Sequence, residues 1–191
     1  MDSTAIIEAL SRVLPGDPSR FEAAVSADGM PTIYVAREHL VDTARALRDT
    51  PELRFAFLAD IVSVDYYPRE PRFEVLYILS CPGVAGYGTA PKRLRMKVRL
   101  PGDDARIPTV QGVWPAANWA ERELFDLMGI VADGHPDLRR ILMPEDWEGF
   151  PMRRDYPVQI KAPVKTYEPL QVSEEEFVAN LEAARRQSRK K

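Results

Sequence analysis

The sequence predicts an α+β fold: a mostly antiparallel central sheet with helices packed on one face, plus an extended C-terminal tail. Three observations lead there. Apolar residues recur at helical spacing over residues 3–14, 37–49 and 115–129. Between the second and third of these stretches the period changes to two, as in strands joined by hairpins. Proline, at 17 residues, is frequent after Gln111 and separates short segments there, which points to an extended C-terminal half.

Each element follows from its residues. Ile6, Ile7, Leu10, Val13 and Leu14 form one helical face, ended by Pro15-Gly16. Residues 20–26 and 31–36 read as short strands around Asp28-Gly29, a hairpin signal. A second helix, 37–49, carries Leu40, Val41, Ala44 and Leu47, and Thr50-Pro51-Glu52 reads as the capped start of a short third one. From Ile61 the chain alternates, Val62, Val64 and Tyr66 against Ser63 and Asp65, and Phe73–Leu79 is the next strand. Cys81–Pro91 is a glycine-containing loop. In Lys92–Leu100, Leu94, Met96, Val98 and Leu100 face one way and Arg93, Arg95, Lys97 and Arg99 the other. A strand at 107–111 precedes the helix at 115–129, with Pro115 in its first turn and Gly129 at its C-terminal cap. Leu138–Met143 reads as a last strand. After Asp146 periodicity lapses until Ser173-Glu174-Glu175-Glu176, a capping box ahead of Phe177, Val178 and Leu181. The division is therefore a core domain, 1–146, and a proline-rich docking tail, 147–191, with a short terminal helix.

Composition narrows the function. The net charge of −3 argues against nucleic acid as a partner. A single cysteine, Cys81, makes an internal disulfide impossible and suits a reducing compartment. Residues 1–8 lack the basic and apolar regions of a secretory signal, and no apolar run approaches the ~18 residues of a membrane span. Any membrane association is thus expected to be indirect, on the cytoplasmic face of a bacterial membrane.

The chemistry-bearing motifs are weak. Two histidines, His39 and His135, and one cysteine give no zinc or iron–sulfur spacing, so no metal site is expected. Gly83-Val84-Ala85-Gly86-Tyr87-Gly88 follows a strand but precedes another strand. It therefore lacks the helix N-terminus that a dinucleotide pyrophosphate needs. No nucleophile elbow is present. No catalytic or cofactor-binding residue is expected on this chain.

Two clusters remain. In Trp114–Gly129, Glu121 and Glu123 lie two positions apart, about 200° around a helix, and so do not share a proton. The structural reading is preferred: Ala117, Ala120, Leu124, Leu127 and Met128 form the buried stripe, and Arg122 pairs with Asp126 at i,i+4. In Gly134–Pro157, His135 beside Pro136 reads as a hydrogen-bonded turn residue. Arg139-Arg140 and Arg153-Arg154-Asp155, set among Trp147, Phe150 and Tyr156, read as a docking strip.

Glu121-Arg122-Glu123, Asp126-Leu127-Met128, His135, Arg139 and Ile141-Leu142 fall at the spacing of a known signature. With Arg153-Arg154-Asp155-Tyr156-Pro157, and Val64-Asp65 followed by Arg72-Phe73-Glu74-Val75, residues 36–158 resemble the C-subunit family of respiratory complex I, the thirty-kilodalton subunit in mitochondria. Ala132, Phe150 and Arg154 stand where that family usually has phenylalanine, histidine and lysine; Phe150 rules out a protonation role at its position. The resemblance implies a subunit of NADH:quinone oxidoreductase that carries no cofactor itself. FMN, iron–sulfur clusters and quinone would sit on partner subunits. The partners would be the quinone-site subunit (forty-nine-kilodalton) and neighbouring iron–sulfur subunits. It implies that Glu121, Arg122, Glu123, Asp126, His135, Arg139, Arg140, Arg153, Arg154 and Asp155 serve fold and interface. Two alternatives differ in kind: the equivalent subunit of a membrane-bound hydrogenase complex, and a free-standing module using the basic face of residues 93–99 to bind an acidic partner.

Overall fold

The computed structural model describes residues 1–83, 90–158 and 173–188, with only the backbone for residues 18 and 183–188. The glycine loop beyond Gly83 and the tail at 159–172 and 189–191 lie outside the described residues.

The first of two compact units spans Met1–Tyr156. Its elements in order are α1 (Ser3–Val13), β1 (Phe21–Ala24), β2 (Thr32–Val35), α2 (Leu40–Asp49), β3 (Phe57–Asp65), β4 (Phe73–Cys81), β5 (Lys92–Leu100), β6 (Arg106–Pro108), α3 (Ala117–Met128) and β7 (Val131–Asp133). Five strands form one sheet in the order β1-β2-β5-β4-β3, and β6 and β7 form a separate pair. The fold is α+β as expected. All pairings in the large sheet are antiparallel except β2 with β5, and β6 pairs β7 in parallel.

Local chemistry sets the ends of these elements. Asp2 caps α1 by accepting from the Ala5 N–H at 2.9 Å. Gly129 closes α3 at φ +69°, a left-handed conformation that costs glycine little. The core lies between the sheet and the helices, where Leu94, Met96, Val98 and Leu100 of β5 are fully buried with Val75, Tyr77 and Leu79 of β4.

Several expectations need correction. Residues 37–39 form a 3₁₀ turn ahead of α2, and Thr50 ends α2, its N–H donating to the Ala46 carbonyl, while Pro51–Leu53 make a turn and not a helix. Strand β3 starts at Phe57, earlier than the alternation from Ile61 suggests. Its inward set is Leu58, Ile61 and Asp65, with Val62 and Val64 exposed. Strand β6 is Arg106–Pro108, short of the expected 107–111. Residues 138–143 contain no strand; the reason lies in the geometry below.

The second unit is Pro157–Lys191, within which α4 spans Glu174–Ser188. The expected capping box is present. The Glu176 N–H donates to Ser173 Oγ at 3.2 Å, and the Ser173 N–H donates back to Glu176 Oε2 at 3.3 Å.

Candidate functional site: a strap laced to helix α3

Most of the residues picked out from the sequence converge on one feature. The segment 134–156 runs over α3 as an irregular strap, held by charged side chains that point inward. An irregular backbone packed on a helix leaves many N–H and C=O groups to satisfy, and those groups are what the side chains bind.

Asp126 is the main fastening. It is fully buried. Its Oδ2 accepts from three successive backbone amides, Ile141 at 3.0 Å, Leu142 at 2.6 Å and Met143 at 2.9 Å. Its Oδ1 accepts from Arg140 Nη1 at 2.8 Å. Burial alone raises the carboxyl pKa, but these donors outweigh it and hold the group below the usual value. Three consecutive N–H groups aimed at one oxygen make a nest, incompatible with the alternating amides of a strand. That is why 138–143 is not extended.

The expected Arg122–Asp126 pair does not form. Arg122 donates instead to the carbonyls of Arg139 at 3.0 Å and Arg140 at 3.2 Å, and lies over the exposed Trp119 ring. Asp126 is sealed beneath the strap, where only Arg140 and the nest reach it. Arg140 also donates to the carbonyls of Asp126, Trp147 and Gly149.

Glu121 corrects the expected apolar stripe. The stripe's Ala117, Leu124 and Met128 are buried and Ala120 and Leu127 are partly so, but Glu121 is buried among them. It accepts from the Val110 N–H at 2.7 Å and Thr109 Oγ1 at 2.5 Å. Burial still dominates and raises its pKa. Glu123, on the opposite side, is exposed. His135 is the turn residue expected: Nδ1 accepts from the Asp137 N–H, which leaves Nε2 to donate to the Asn118 carbonyl at 3.2 Å. Arg139 pairs with its neighbour Asp137 at the surface.

The strap's far end is clamped to the sheet. Arg72 forms a two-pronged pair with the buried Asp65, Nε to Oδ1 at 3.0 Å and Nη2 to Oδ2 at 2.9 Å, and reaches Asp155 at 2.6 Å. The Arg154 N–H donates to Asp65 Oδ2 at 2.9 Å. The Arg153 guanidinium lies over the Phe73 and Phe150 rings, and its Nε donates to the Met128 carbonyl at 2.7 Å. Of the arginine–aromatic strip, therefore, Arg153 and Phe150 are packed within the chain, while Arg154 and Asp155 are exposed and tied to it only through the Arg154 N–H and the Arg72 pair. Asp65 and Arg72, singled out only as part of the resemblance, were not expected in this clamp; the signal available was a carboxylate at the end of a largely apolar strand with an arginine seven positions on.

Gly129 seats this clamp. A Cβ there would fall 2.4 Å from Phe150 Cε2 and 2.6 Å from Arg153 Nη2. Gly129→Ala is expected to cost about 2–3 kcal/mol, combining left-handed strain with displacement of both side chains. A urea titration of the two proteins measures it, and a loss within 0.5 kcal/mol, on the order of an ordinary surface change, would show that the seat is not needed.

The basic face of β5 is largely neutralised internally. Arg95 pairs with Asp28, Lys97 with Glu74 and Arg99 with Glu22. Among the described residues no group of three His, Cys, Asp or Glu side chains is placed to hold a metal ion, and no helix is long and apolar enough to cross a membrane.

Residues 33–162 match the family described as the respiratory-chain NADH dehydrogenase 30 Kd subunit. The C subunit of NADH-quinone oxidoreductase from Roseiflexus sp. (strain RS-1) is 44% identical over 158 residues, covering 83% of this chain and 86% of that protein. The second C-type subunit of the corresponding Rhizobium meliloti (strain 1021) enzyme is 47% identical over 135 residues, 70% of each chain. Among solved structures, a trypsin-resistant fragment (1-134) of Nqo5 is 36% identical with a TM-score of 0.56, covering 68% of this chain and 99% of that one. A chain of an archaeal membrane-bound sulfane sulfur reductase has a TM-score of 0.65 at 22% identity, covering 88% of this chain and 98% of that one, a likeness of fold. With the family matched over most of this chain and C subunits 44% and 47% identical to it over more than two thirds of its length, this chain belongs to the respiratory-chain NADH dehydrogenase 30 kDa subunit family, the C subunits of NADH-quinone oxidoreductase.

Proposed function

We propose that the chain is a cofactor-free, peripheral-arm subunit of a proton-translocating NADH:quinone oxidoreductase. It docks on the forty-nine-kilodalton quinone-site subunit and neighbouring iron–sulfur subunits and supports assembly of the arm. FMN, iron–sulfur clusters and quinone, and with them NADH oxidation and electron transfer, belong to partner subunits. The complex holds this chain at the cytoplasmic side of the membrane.

One observation carries the reading. Arg122, Asp126, His135, Arg140 and Arg153 are engaged in cross-links between α3 and the strap, Glu121 ties α3 to Thr109 and Val110, and these groups do not converge on a reactive cavity among the described residues. Such a lattice supports a rigid surface more readily than a turnover site. Glu121, Arg122, Asp126, His135, Arg140 and Arg153 take the fold-locking part. Glu123, Arg139, Arg154 and Asp155 take the surface part, and the segment after Tyr156 serves as a docking tail.

The test is affinity isolation of the tagged full chain from gently solubilised membranes, with mass spectrometry and an NADH-to-quinone assay. Flavin, iron–sulfur and membrane subunits with inhibitor-sensitive activity are expected. Recovery with a nickel hydrogenase set would move the chain to the equivalent subunit of that sister complex. Recovery of the chain alone would sink both.

A further inference from the structure

The sheet has two edges, and they differ. Strand β1 has four residues, whereas β3 has nine. Pairing along β3 can be followed from one bond: the Tyr66 N–H donates to the Arg72 carbonyl at 2.7 Å. Antiparallel ladders alternate, so Val64 and Val62 bond to β4 while Asp65, Ser63 and Ile61 turn their N–H and C=O groups outward. The Ile61 N–H is met only by the carboxylate of its neighbour Asp60, at 2.8 Å. The register shift between Leu58 and Asp60 limits the edge at one end. The strap, bonded to Asp65, limits it at the other.

An exposed edge of this kind is a template for another strand, and proteins usually blunt it with lysine or proline or cover it. Here it is neither basic nor proline-bearing. On its outer face Val62 and Val64 are 39% and 38% exposed. Along the edge a groove of about 240 Å³ runs between β3 and α3, with Ile61, Val62, Ser63, Leu124, Leu127 and Met128 in its walls. Two further wall residues, Asp60 and Glu123, are exposed carboxylates, and neither forms a salt bridge among the described residues.

We propose that residues 61–65 of β3 form a strand-addition site for an extended apolar segment of a partner polypeptide that also carries lysine or arginine. Its backbone would pair with Ile61, Ser63 and Asp65 over about five residues. One alternate side chain enters the groove against Leu124 and Leu127, the next covers Val62 and Val64, and the basic group meets Asp60 and Glu123. The charge selects the occupant: a second copy of this chain would bring the same two carboxylates to the same seam, and like charges there disfavour it. The inference rests on the proposed function for taking the partner to be another subunit of the complex.

The experiment uses the tagged full chain, free and in the complex isolated from membranes. Amide hydrogen exchange over residues 58–65 is expected to be slow at Val62 and Val64 in both states, and to slow at Ser63 and Asp65 only in the complex. Ser63→Pro removes one outward N–H and leaves the β4 ladder intact. Asp60→Lys with Glu123→Lys leaves every β3–β4 ladder bond in place, freeing only the outward Ile61 N–H that Asp60 meets, and decides the matter if the proline variant fails to fold. Each is expected to lower recovery of partner subunits at least about tenfold with the melting temperature of the free chain unchanged. Wild-type recovery by the folded variants, with no slowing at Ser63 in the complex, would overturn the strand-addition site while leaving the subunit assignment standing. A wild-type chain that recovers no partner subunit would instead remove the assignment and this inference's partner with it. A free chain that dimerises, and loses the dimer in Ser63→Pro, would show the edge to be taken by a second copy and overturn the proposal.

Discussion

Asp126→Ala is expected to destabilise the domain by about 3–5 kcal/mol at neutral pH, the range for removing one partner of a buried ion pair. The substitution leaves Arg140, whose side chain is 13% exposed, without its carboxylate. It also strips the acceptor from three backbone amides at once, and each orphaned buried donor is costly. The loss is expected to be concentrated in the strap. Amides of Ile141, Leu142 and Met143 should become exchangeable through local opening of the strap, while those of β4 and β5 change by no more than the loss of global stability. Urea unfolding with residue-resolved exchange reads both quantities. If the three amides keep wild-type protection, the nest is not what holds them. Sign and pH follow from the lowered pKa of this carboxyl. Its contribution is fully present above the ordinary unfolded value near 4 and is lost as pH falls through the lower folded value. The gap between wild type and Asp126→Ala is therefore expected to close on acidification. The functional consequence is positional: Leu142, held out at 61% exposure by the nest, and Trp119, braced by Arg122, would lose their fixed places on the surface.

How far the sequence could be read depends on which force decided each element. Strand β5 was legible because, beyond Lys92, one set of its side chains is apolar and the other basic, so only one face could turn inward. The ends of α3 were nearly right for the same kind of reason, since Gly129 marks its left-handed close. Its buried face was misread because Glu121 and Asp126 are charged, and an apolar stripe has no place for acids whose partners come from elsewhere in the chain. Those of Asp126 lie 14 to 17 residues on, in a segment with no periodicity. The same blind spot affected β3. Asp65 belongs to the inward set because Arg72 neutralises it there, which leaves Val62 and Val64 outside. In Leu138–Met143 the apolar content suggested a strand, but one carboxylate gathering successive amides overrode it. The signature residues themselves were found from their spacing; what each one binds was set by tertiary contacts that spacing does not encode.

Arg72→Met should produce a loss of similar size, about 3–5 kcal/mol at pH 7, with an informative dependence on pH. In the wild type, burial pushes the Asp65 carboxyl up. The guanidinium of Arg72 and the N–H groups of Arg154 and Tyr67 more than offset this and bring its pKa to about 2. With the folded value below the unfolded one, Asp65 stabilises the fold above about pH 4 and loses that effect between about pH 4 and 2. Removing Arg72 leaves the amides but takes away the largest opposing influence, so burial is expected to lift the folded pKa above its ordinary value. The sign then reverses: the group favours folding only below its unfolded pKa, and that contribution disappears as pH rises through the folded value. The stability difference between the two proteins should therefore be largest near neutrality and shrink steadily toward pH 3. Asp155→Asn supplies the contrast. Its carboxylate also meets Arg72, at 2.6 Å, but is 40% exposed, and water screens such pairs to about 0–1 kcal/mol. A small, nearly pH-independent effect is expected there. If Asp155→Asn proved as costly as Arg72→Met, the clamp would be anchored by the strap's own carboxylate. If the Arg72→Met difference stayed constant from pH 7 to pH 3, the loss would come from the methylene stem and the stacking over Tyr67 and Phe73, and not from the charge on Asp65. The distinction matters for docking. A charge-held clamp ties the end of β3 to the strap in a manner that depends on ionisation, and the proposed partner edge begins at that same residue.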